Sequence, residues 1–344
     1  MEARFGAMPL ILTQPVVDRS AWFGSDFERD ESWIYRFSAN ALDELEGALR
    51  TIRSRAIPLE CIEKSDFPLP TLERDLGRIL DELQTGRGFV LLRGLPMNRL
   101  SDDEAALVYW GLGCHLGKAV SQNARGDRLG HVRDEGYRDY RNVSNVRGYQ
   151  TRASLEFHTD SSDIVGLLCL RKAKEGGESS IVSSTTLHNE ILKNHRELLG
   201  LLYKDYFFDR RGEEAPGEGL TYRGTIYSCH QGVLSCRPAL LEYIYSASEK
   251  TGVPLSQVED EALSCFRAIA ERADLRLTMR LEPGDVQLLH NSVVLHSRTD
   301  YVDFEEPNHK RHLLRLWLNV PNGRPIAPTA FLARRNGVPV TAGK

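Results

Sequence analysis

The sequence predicts a mainly β core, of barrel or jelly-roll type, decorated with helices. Short apolar runs typical of strands occur before and after a helix-rich stretch, and glycine-containing turns separate several of them. The regular alternation of strands and helices that a parallel α/β sheet requires is missing from the pattern. The 344 residues suffice for a sizeable core, and we expect a single domain over residues 1–344.

The first part of the chain predicts helices that lead into a core strand. Residues 39–52 carry apolar side chains at helical spacing, and residues 71–85 repeat this character. Residues 86–96 form a short apolar run bounded by glycine and proline, which is typical of a buried strand. We therefore expect a mostly helical N-terminal extension over residues 1–84.

A helix after this strand begins at residue 101, where Ser101 and Glu104 stand in the spacing of a capping box. Further along, strand patterns enclose a second helical region. We expect strands over residues 163–173, 179–184, 276–291, 293–301 and 311–321. Helical spacing dominates much of the sequence between them, so we expect a helix-rich insert over roughly residues 185–275 between core strands.

Composition and charge exclude several classes of protein. The chain is 41% hydrophobic and 27% charged with a formal net charge of −4, so we expect neither nucleic acid nor a membrane surface as partner. No apolar run approaches the roughly 20 residues of a membrane helix, and the N-terminus lacks the pattern of a secretory signal. The six cysteines are scattered without a CxxC pair, which predicts reduced core thiols in a cytoplasmic protein. The sequence is also compatible with a homo-oligomer.

The segment SLEFHTDSSD (154–163) contains the first candidate site. His158 and Asp160 are two residues apart, so on a strand both side chains point to the same face. Imidazole and carboxylate together suit iron, zinc or manganese, and two histidines with one carboxylate are the ligand set of non-haem Fe(II) oxygenases. The alternative is a solvated strand edge. A metal site of this kind needs a second histidine from a distant strand.

Two histidines near the end of the chain could complete such a site. His290 and His296 both lie in the segment LLHNSVVLHSRTDY. They are six residues apart, so strand alternation places both side chains on the same side. Spacing alone therefore does not choose between them.

Two arginines stand in a strand that is otherwise apolar. Arg311 and Arg315 are four residues apart in KRHLLRLWLN, where we interpret Trp317 as a packing residue. A guanidinium in such a strand is costly unless a carboxylate pairs with it, so it is a candidate clamp for an anionic cosubstrate. The alternative is a structural ion pair with an internal acidic residue.

These elements together resemble a known family. The order HTD (158–160), GGES (176–179), NSVVLHSRTDY (291–301) and RHLLRLWL (311–318) is similar to the TauD/TfdA group of Fe(II)- and 2-oxoglutarate-dependent dioxygenases, within the clavaminate synthase-like superfamily. The resemblance runs over roughly residues 85–322. It implies a double-stranded β-helix (jelly roll) core and an enzyme that uses Fe(II), 2-oxoglutarate and O2.

The resemblance also implies roles for single residues. It makes His158, Asp160 and His296 the catalytic ligands of Fe(II), because the distal histidine of the family stands in the LHSRT context. Arg311 matches the arginine that binds the distal carboxylate of 2-oxoglutarate. Ser179 stands where members often carry a threonine whose hydroxyl assists the same carboxylate.

The substrate side of the resemblance rests on Arg315, which matches a position that contacts an anionic group of the substrate in several members. Asn145, Arg147 and Tyr149 lead into the metal-binding strand and are candidates to line the substrate pocket, the alternative being a polar loop that faces water. Asp160 argues against halogenation, because halogenating members replace this acidic ligand with a small residue.

We therefore expect a small-molecule substrate, anionic or zwitterionic, that is hydroxylated at an unactivated C–H bond with release of succinate and CO2. Desaturation, cyclisation or another oxidative rearrangement at the same iron site are the alternative outcomes. An alternative from a different class of protein is a jelly roll that binds metal without catalysing a reaction.

Overall fold

The computed structural model describes residues 10–137, 146–327 and 337–341. Within these residues, two larger β-sheets stand at the centre and helices cover their outer faces. The mainly β core with helices that the sequence predicts is confirmed at this level.

The first sheet has seven strands, and most of its partners are distant in sequence. Its strands are β1 (Ile34–Arg36), β2 (Phe89–Arg93), β3 (Lys118–Ala119), β4 (Leu129–Val132), β6 (Ile164–Arg171), β14 (Val286–His290) and β17 (His312–Asn319). They follow the order β1-β2-β14-β6-β17-β3, with β4 also paired to β17. Strands β6 and β17 are buried along nearly their whole length, which explains their almost continuous apolar sequences.

The second sheet has four strands and faces the first. Its strands are β5 (Leu155–His158), β8 (Ser179–Ser183), β13 (Arg276–Met279) and β15 (Val294–Arg298). They follow the order β13-β8-β15-β5. Apolar side chains from both sheets, among them Val165, Leu313 and Ile181, meet in one cluster, so the inner faces of the two sheets pack together.

Three short hairpins or ribbons complete the strands of the described residues. They are β7 (Glu175–Gly176) with β16 (Tyr301–Val302), β9 (Tyr206–Asp209) with β10 (Thr221–Gly224), and β11 (Tyr227–His230) with β12 (Val233–Cys236). The ribbon of β7 and β16 joins the turn after β6 to the segment that follows β15.

Helices cover both sheets from outside. They are α1 (Ala39–Arg55), α2 (Leu72–Thr85), α3 (Asp102–Leu116), α4 (Ser184–Asn194), α5 (Arg196–Leu199), α6 (Glu242–Thr251) and α7 (Gln257–Ala270). The first three share an apolar cluster with the seven-stranded sheet, and most of the others share one with the four-stranded sheet. Helix α3 begins at the predicted capping box, where Ser101 Oγ accepts from the Glu104 amide at 3.2 Å.

The register of the second sheet brings two distant segments together. His296 of β15 stands directly opposite His158 of β5. Since side chains alternate along a strand, both imidazoles point to the inner face, while Leu295 and Phe157 join the outer apolar cluster. In the part of the chain that the structure describes, no helix is long and apolar enough to cross a membrane.

Candidate metal centre and active site

The inner face of the four-stranded sheet carries a cluster of three potential metal ligands. His158, Asp160 and His296 each offer one donor atom, and these atoms lie within 4.8 Å of one another. His158 and His296 are neighbours across two paired strands, with ring centroids 4.2 Å apart. Asp160 follows β5 by two residues. Strand pairing therefore accounts for the convergence of segments that lie 138 residues apart in sequence.

Both imidazoles of the cluster are held in the form that binds a cation. Burial lowers the pKa of His158 and lowers that of His296 to about 3, so both rings are neutral at physiological pH. His158 Nδ1 lies 2.8 Å from the carbonyl oxygen of Glu156 and donates to it, which leaves Nε2 with its lone pair. His296 Nδ1 is buried and has no hydrogen-bond partner among the described residues.

Asp160 supplies the negative charge of the cluster. Burial alone would raise the pKa of its carboxyl, but the Arg315 charge and the hydrogen bond from Trp317 outweigh this effect and the pKa is lowered. Trp317 Nε1 donates to Asp160 Oδ2 at 2.8 Å, and Arg315 Nη1 lies 3.6 Å from the same oxygen. Two neutral imidazoles and one carboxylate fit a divalent cation such as Fe(II).

A buried network holds the loop that carries Asp160. The Asp160 amide donates to Asn291 Oδ1 at 2.9 Å, and Asn291 Nδ2 donates to the Ser162 carbonyl at 3.0 Å. Behind this loop, Asp163 pairs with Arg237 at 3.0 Å, and both side chains are almost fully buried. The network ties the loop to the segments after β14 and β12, so it fixes where the carboxylate stands.

His290 lies outside the cluster. It is buried at the end of β14, and its Nδ1 accepts from the Ser292 amide at 3.1 Å. The structure thus separates the two histidines that sequence spacing left equivalent, and places His296 beside His158 and Asp160.

Arg311 lies just before β17 and is 6% exposed. Burial lowers the pKa of its guanidinium, and Nη1 is buried without a hydrogen-bond partner among the described residues. The guanidinium lies 5.0 Å from the ring centroid of Tyr301 and packs against Gly177. A buried cation with an unused donor is suited to an anionic ligand such as a carboxylate.

Ser179 begins β8 and is also buried. Its hydroxyl lies 3.1 Å from Gln287 Oε1 and 3.0 Å from Gln287 Nε2. The side-chain amide of Gln287, on β14, therefore holds the Ser179 hydroxyl. Sequence reasoning did not identify this partner, because β8 and β14 lie in different sheets.

A cavity of about 90 Å³ opens beside the cluster, and His158 and Asp160 form part of its wall. Three of the residues expected around the substrate, Arg147, Tyr149 and Arg315, line it as well. Asn145, the fourth, lies outside the described residues. The structure therefore places Arg147 and Tyr149 at a cavity rather than on an outward-facing loop.

The charged side chains of this cavity are arranged around two guanidinium groups. Arg315 Nε donates to Gln122 Oε1 at 2.7 Å, and its guanidinium carbon lies 4.6 Å from the ring centroid of Tyr149. Arg147 pairs with Glu213, with 2.7 Å between Nη2 and Oε1. The sequence does not predict Glu213 as a site residue, because no motif marks the segment before β10.

Two histidines and one carboxylate that converge in this way are the ligand set typical of non-haem Fe(II) oxygenases. The chain matches the family model for the taurine catabolism dioxygenase TauD, TfdA family, over residues 54–317. The chain belongs to this family. It is an Fe(II)- and 2-oxoglutarate-dependent oxygenase.

Two relatives match the chain over most of its length. The chain is 40% identical over 334 residues to FR-33289 synthase of Streptomyces rubellomurinus, covering 96% of this chain and 98% of that protein. It is 28% identical over 308 residues to the taurine hydroxylase-like protein SAT17 of Stachybotrys chartarum, covering 87% and 78% of the two chains.

Solved structures show the same fold. Asparagine oxygenase in complex with Fe(II), 3-hydroxyasparagine and succinate superposes with a TM-score of 0.65 at 19% identity, over 83% of this chain and 93% of that one. The non-haem iron oxygenase OrfP, in complex with Fe, succinate and (3S)-hydroxy-L-Arg, superposes with a TM-score of 0.60 at 12% identity, over 84% and 94%.

Proposed function

We propose that His158, Asp160 and His296 bind the catalytic Fe(II), and that Arg311 binds the distal carboxylate of 2-oxoglutarate. The observation that carries this proposal is the convergence of the three donor atoms within 4.8 Å on the inner face of the sheet. The unused and buried Nη1 of Arg311 supports the second part. Ser179 assists the same carboxylate once its hydroxyl turns from Gln287.

The residues of the chain orient the reaction. When bound, iron and 2-oxoglutarate supply the oxidising power, by coupling reduction of O2 to decarboxylation of 2-oxoglutarate into succinate and CO2. Arg311 fixes the cosubstrate at one end through a charge-assisted hydrogen bond, which restricts its orientation. Trp317 and Arg315 hold the Asp160 carboxylate in one position, while the apolar cluster between the sheets excludes water.

The substrate we propose is a small molecule with an anionic group, or a zwitterion, that is hydroxylated at an unactivated C–H bond. Arg315 and Arg147 bring two guanidinium groups to the cavity, and the Tyr149 ring stacks on one of them. These positive charges favour a carboxylate or a similar anion. Glu213 gives the cavity a carboxylate besides that of Asp160, which favours a second, positively charged or hydrogen-bond-donating group on the substrate.

The proposal extends to the architecture. We propose that the two facing sheets are the halves of a double-stranded β-helix, within a single domain over 1–344 that has an N-terminal extension over 1–84 and an insert over roughly 185–275. Strands on both sides of this insert pair with each other, as β8 does with β13 and β15. Six unpaired cysteine thiols support a cytoplasmic location.

The experiment that tests the site follows the visible charge-transfer band formed when Fe(II) and 2-oxoglutarate are added anaerobically to the apoprotein. We expect the wild-type protein to form the band and His158→Ala to lack it. Arg311→Ala should raise the 2-oxoglutarate concentration at half-saturation by at least tenfold, since a hydrogen bond to a charged group is lost, and leave Fe(II) binding nearly unchanged. Loss of Fe(II) binding in Arg311→Ala would contradict the role assigned to this residue.

The substrate class is tested separately, by succinate release in air. Pairs of compounds with one carbon skeleton are compared, one carrying a carboxylate or sulfonate and the other its neutral amide. We expect substrate-dependent succinate only with the anionic member of a pair. Equal turnover of both members would overturn the anionic substrate and leave the iron site intact.

A further inference from the structure

A tyrosine ring lies between two buried arginines at the Arg311 site. Tyr301 belongs to β16, five residues after His296. The guanidinium carbons of Arg298 and Arg311 lie 4.9 and 5.0 Å from its ring centroid. All three residues are buried, with 4%, 7% and 6% of Tyr301, Arg298 and Arg311 exposed. The ring therefore contacts the same guanidinium that we assign to 2-oxoglutarate.

The polar atoms of these three side chains differ in whether they have hydrogen-bond partners. Arg298 Nη2 donates to the carbonyl oxygen of Thr151 at 2.9 Å and also to that of Ala153, which anchors this arginine. In contrast, the Tyr301 hydroxyl and Arg311 Nη1 are both buried and neither meets an acceptor among the described residues, while the Arg311 guanidinium also interacts with the Tyr301 oxygen. Buried donors are normally hydrogen-bonded. Two donors without acceptors on side chains that contact each other therefore indicate that a ligand supplies an acceptor between them.

The chemistry of the two donors defines that acceptor. Burial raises the pKa of the Tyr301 phenol above its ordinary value despite the two nearby guanidinium charges, so the hydroxyl keeps its proton and can donate. Arg311 donates a charged N–H. A carboxylate accepts hydrogen bonds from both donors at once, through one of its oxygens or through both.

We propose that the Tyr301 hydroxyl donates a second hydrogen bond to the distal carboxylate of 2-oxoglutarate, beside Arg311. The inference rests on the role proposed for Arg311. The simpler alternative is that Tyr301 serves only as a cation–π spacer between two like charges. A spacer needs the ring alone, and phenylalanine would provide it without burying an unsatisfied hydroxyl.

The test uses Tyr301→Phe, which keeps the ring and removes the hydroxyl. Fe(II)-loaded protein is titrated anaerobically with 2-oxoglutarate, and the charge-transfer band is measured. We expect the concentration at half-saturation to rise by more than about threefold, and by about tenfold for a full charge-assisted hydrogen bond, with Fe(II) affinity and thermal midpoint close to wild type. A second titration uses 2-oxopentanoate, which has no distal carboxylate, and there the two proteins should bind equally.

Tyr206→Phe is the matched control. Tyr206 is also buried, its hydroxyl likewise has no hydrogen-bond partner in the described part of the chain, and Lys204 lies over its ring at 5.7 Å. This tyrosine packs in the apolar cluster outside the four-stranded sheet, so its variant should bind 2-oxoglutarate like the wild type.

Each outcome decides between the alternatives. The inference is overturned if Tyr301→Phe binds 2-oxoglutarate within about threefold of wild type, or if it loses as much affinity for 2-oxopentanoate. Should Arg311→Ala itself keep wild-type affinity for 2-oxoglutarate, the proposed function of Arg311 fails first. If Arg311→Ala loses affinity for 2-oxoglutarate while Tyr301→Phe binds it normally, only the inference about Tyr301 is overturned.

Discussion

Trp317 shows how a residue that looks like packing takes part in the site. Its indole stands in an apolar strand, where an aromatic side chain is typical of packing. The structure shows that Nε1 donates to Asp160 Oδ2 at 2.8 Å. The signal that could have identified it is strand alternation, because Trp317 shares a face of β17 with Arg315.

We predict that Trp317→Phe lowers Fe(II) affinity by roughly tenfold, because partners that orient a ligand typically contribute 10- to 100-fold to metal affinity. The measurement is an anaerobic Fe(II) titration of the apoprotein. Trp110→Phe is the matched control, since Trp110 Nε1 donates at 3.1 Å to the Ile62 carbonyl beneath the helices instead. Equal Fe(II) affinity in the two variants would show that the indole only packs against the carboxylate.

At the scale of elements, the sequence predicts which segments are strands better than which strands pair. Helix α1, helix α2 and strand β2 lie where their patterns place them, because local propensity and periodicity suffice. The direct pairing of His296 with His158 depends on β15 lying beside β5, and no local pattern contains that contact. For the same reason, spacing did not exclude His290.

The turn between β6 and β8 provides a test of how an element positions the Arg311 side chain. Gly177 has φ +73°, and a Cβ there would lie 3.1 Å from Arg311 Nε and 3.5 Å from Tyr301 Cβ. We predict that Gly177→Ala displaces the guanidinium and weakens 2-oxoglutarate binding by about tenfold, by analogy with the loss of one charge-assisted hydrogen bond. Fe(II) affinity should not change.

Gly252→Ala separates this effect from backbone strain. Gly252 has φ +68° at the end of α6, and nothing lies within 4 Å of the position that a Cβ would occupy there, so the substitution adds strain without a clash. Both variants should lose on the order of 1 kcal/mol of unfolding free energy, measured in urea. If both also weaken 2-oxoglutarate binding equally, contact with Arg311 is not the cause.

At the scale of the whole molecule, three apolar clusters account for the layered arrangement. One lies between the sheets, and the others join the sheets to the helices on either side. The sequence predicts the mainly β core and the helical cover from periodicity, yet it does not predict the order β1-β2-β14-β6-β17-β3. That order depends on which apolar faces bury each other, and many arrangements of the same strands satisfy one binary pattern.

The helical cover also contains a group that links stability to pH. His188 of α4 is fully buried, its Nε2 lies 2.9 Å from the Tyr203 hydroxyl, and burial lowers its pKa to about 4 from an ordinary value of 6.5. Between these two pH values the unfolded chain binds a proton at this imidazole that the folded chain does not bind. The free energy of unfolding therefore falls as the pH is lowered from about 6.5 to about 4.

We predict that His188→Gln is less stable than wild type at neutral pH but loses less stability on acidification. The difference in slope should approach roughly 1.4 kcal/mol per pH unit, the effect of one proton, in urea unfolding measured across this range. Tyr203→Phe removes the hydrogen bond and keeps the buried imidazole, so it should lower stability at every pH and retain the wild-type slope. Because other acid-labile groups contribute equally to all three proteins, parallel curves for wild type and His188→Gln would mean that His188 does not carry this dependence.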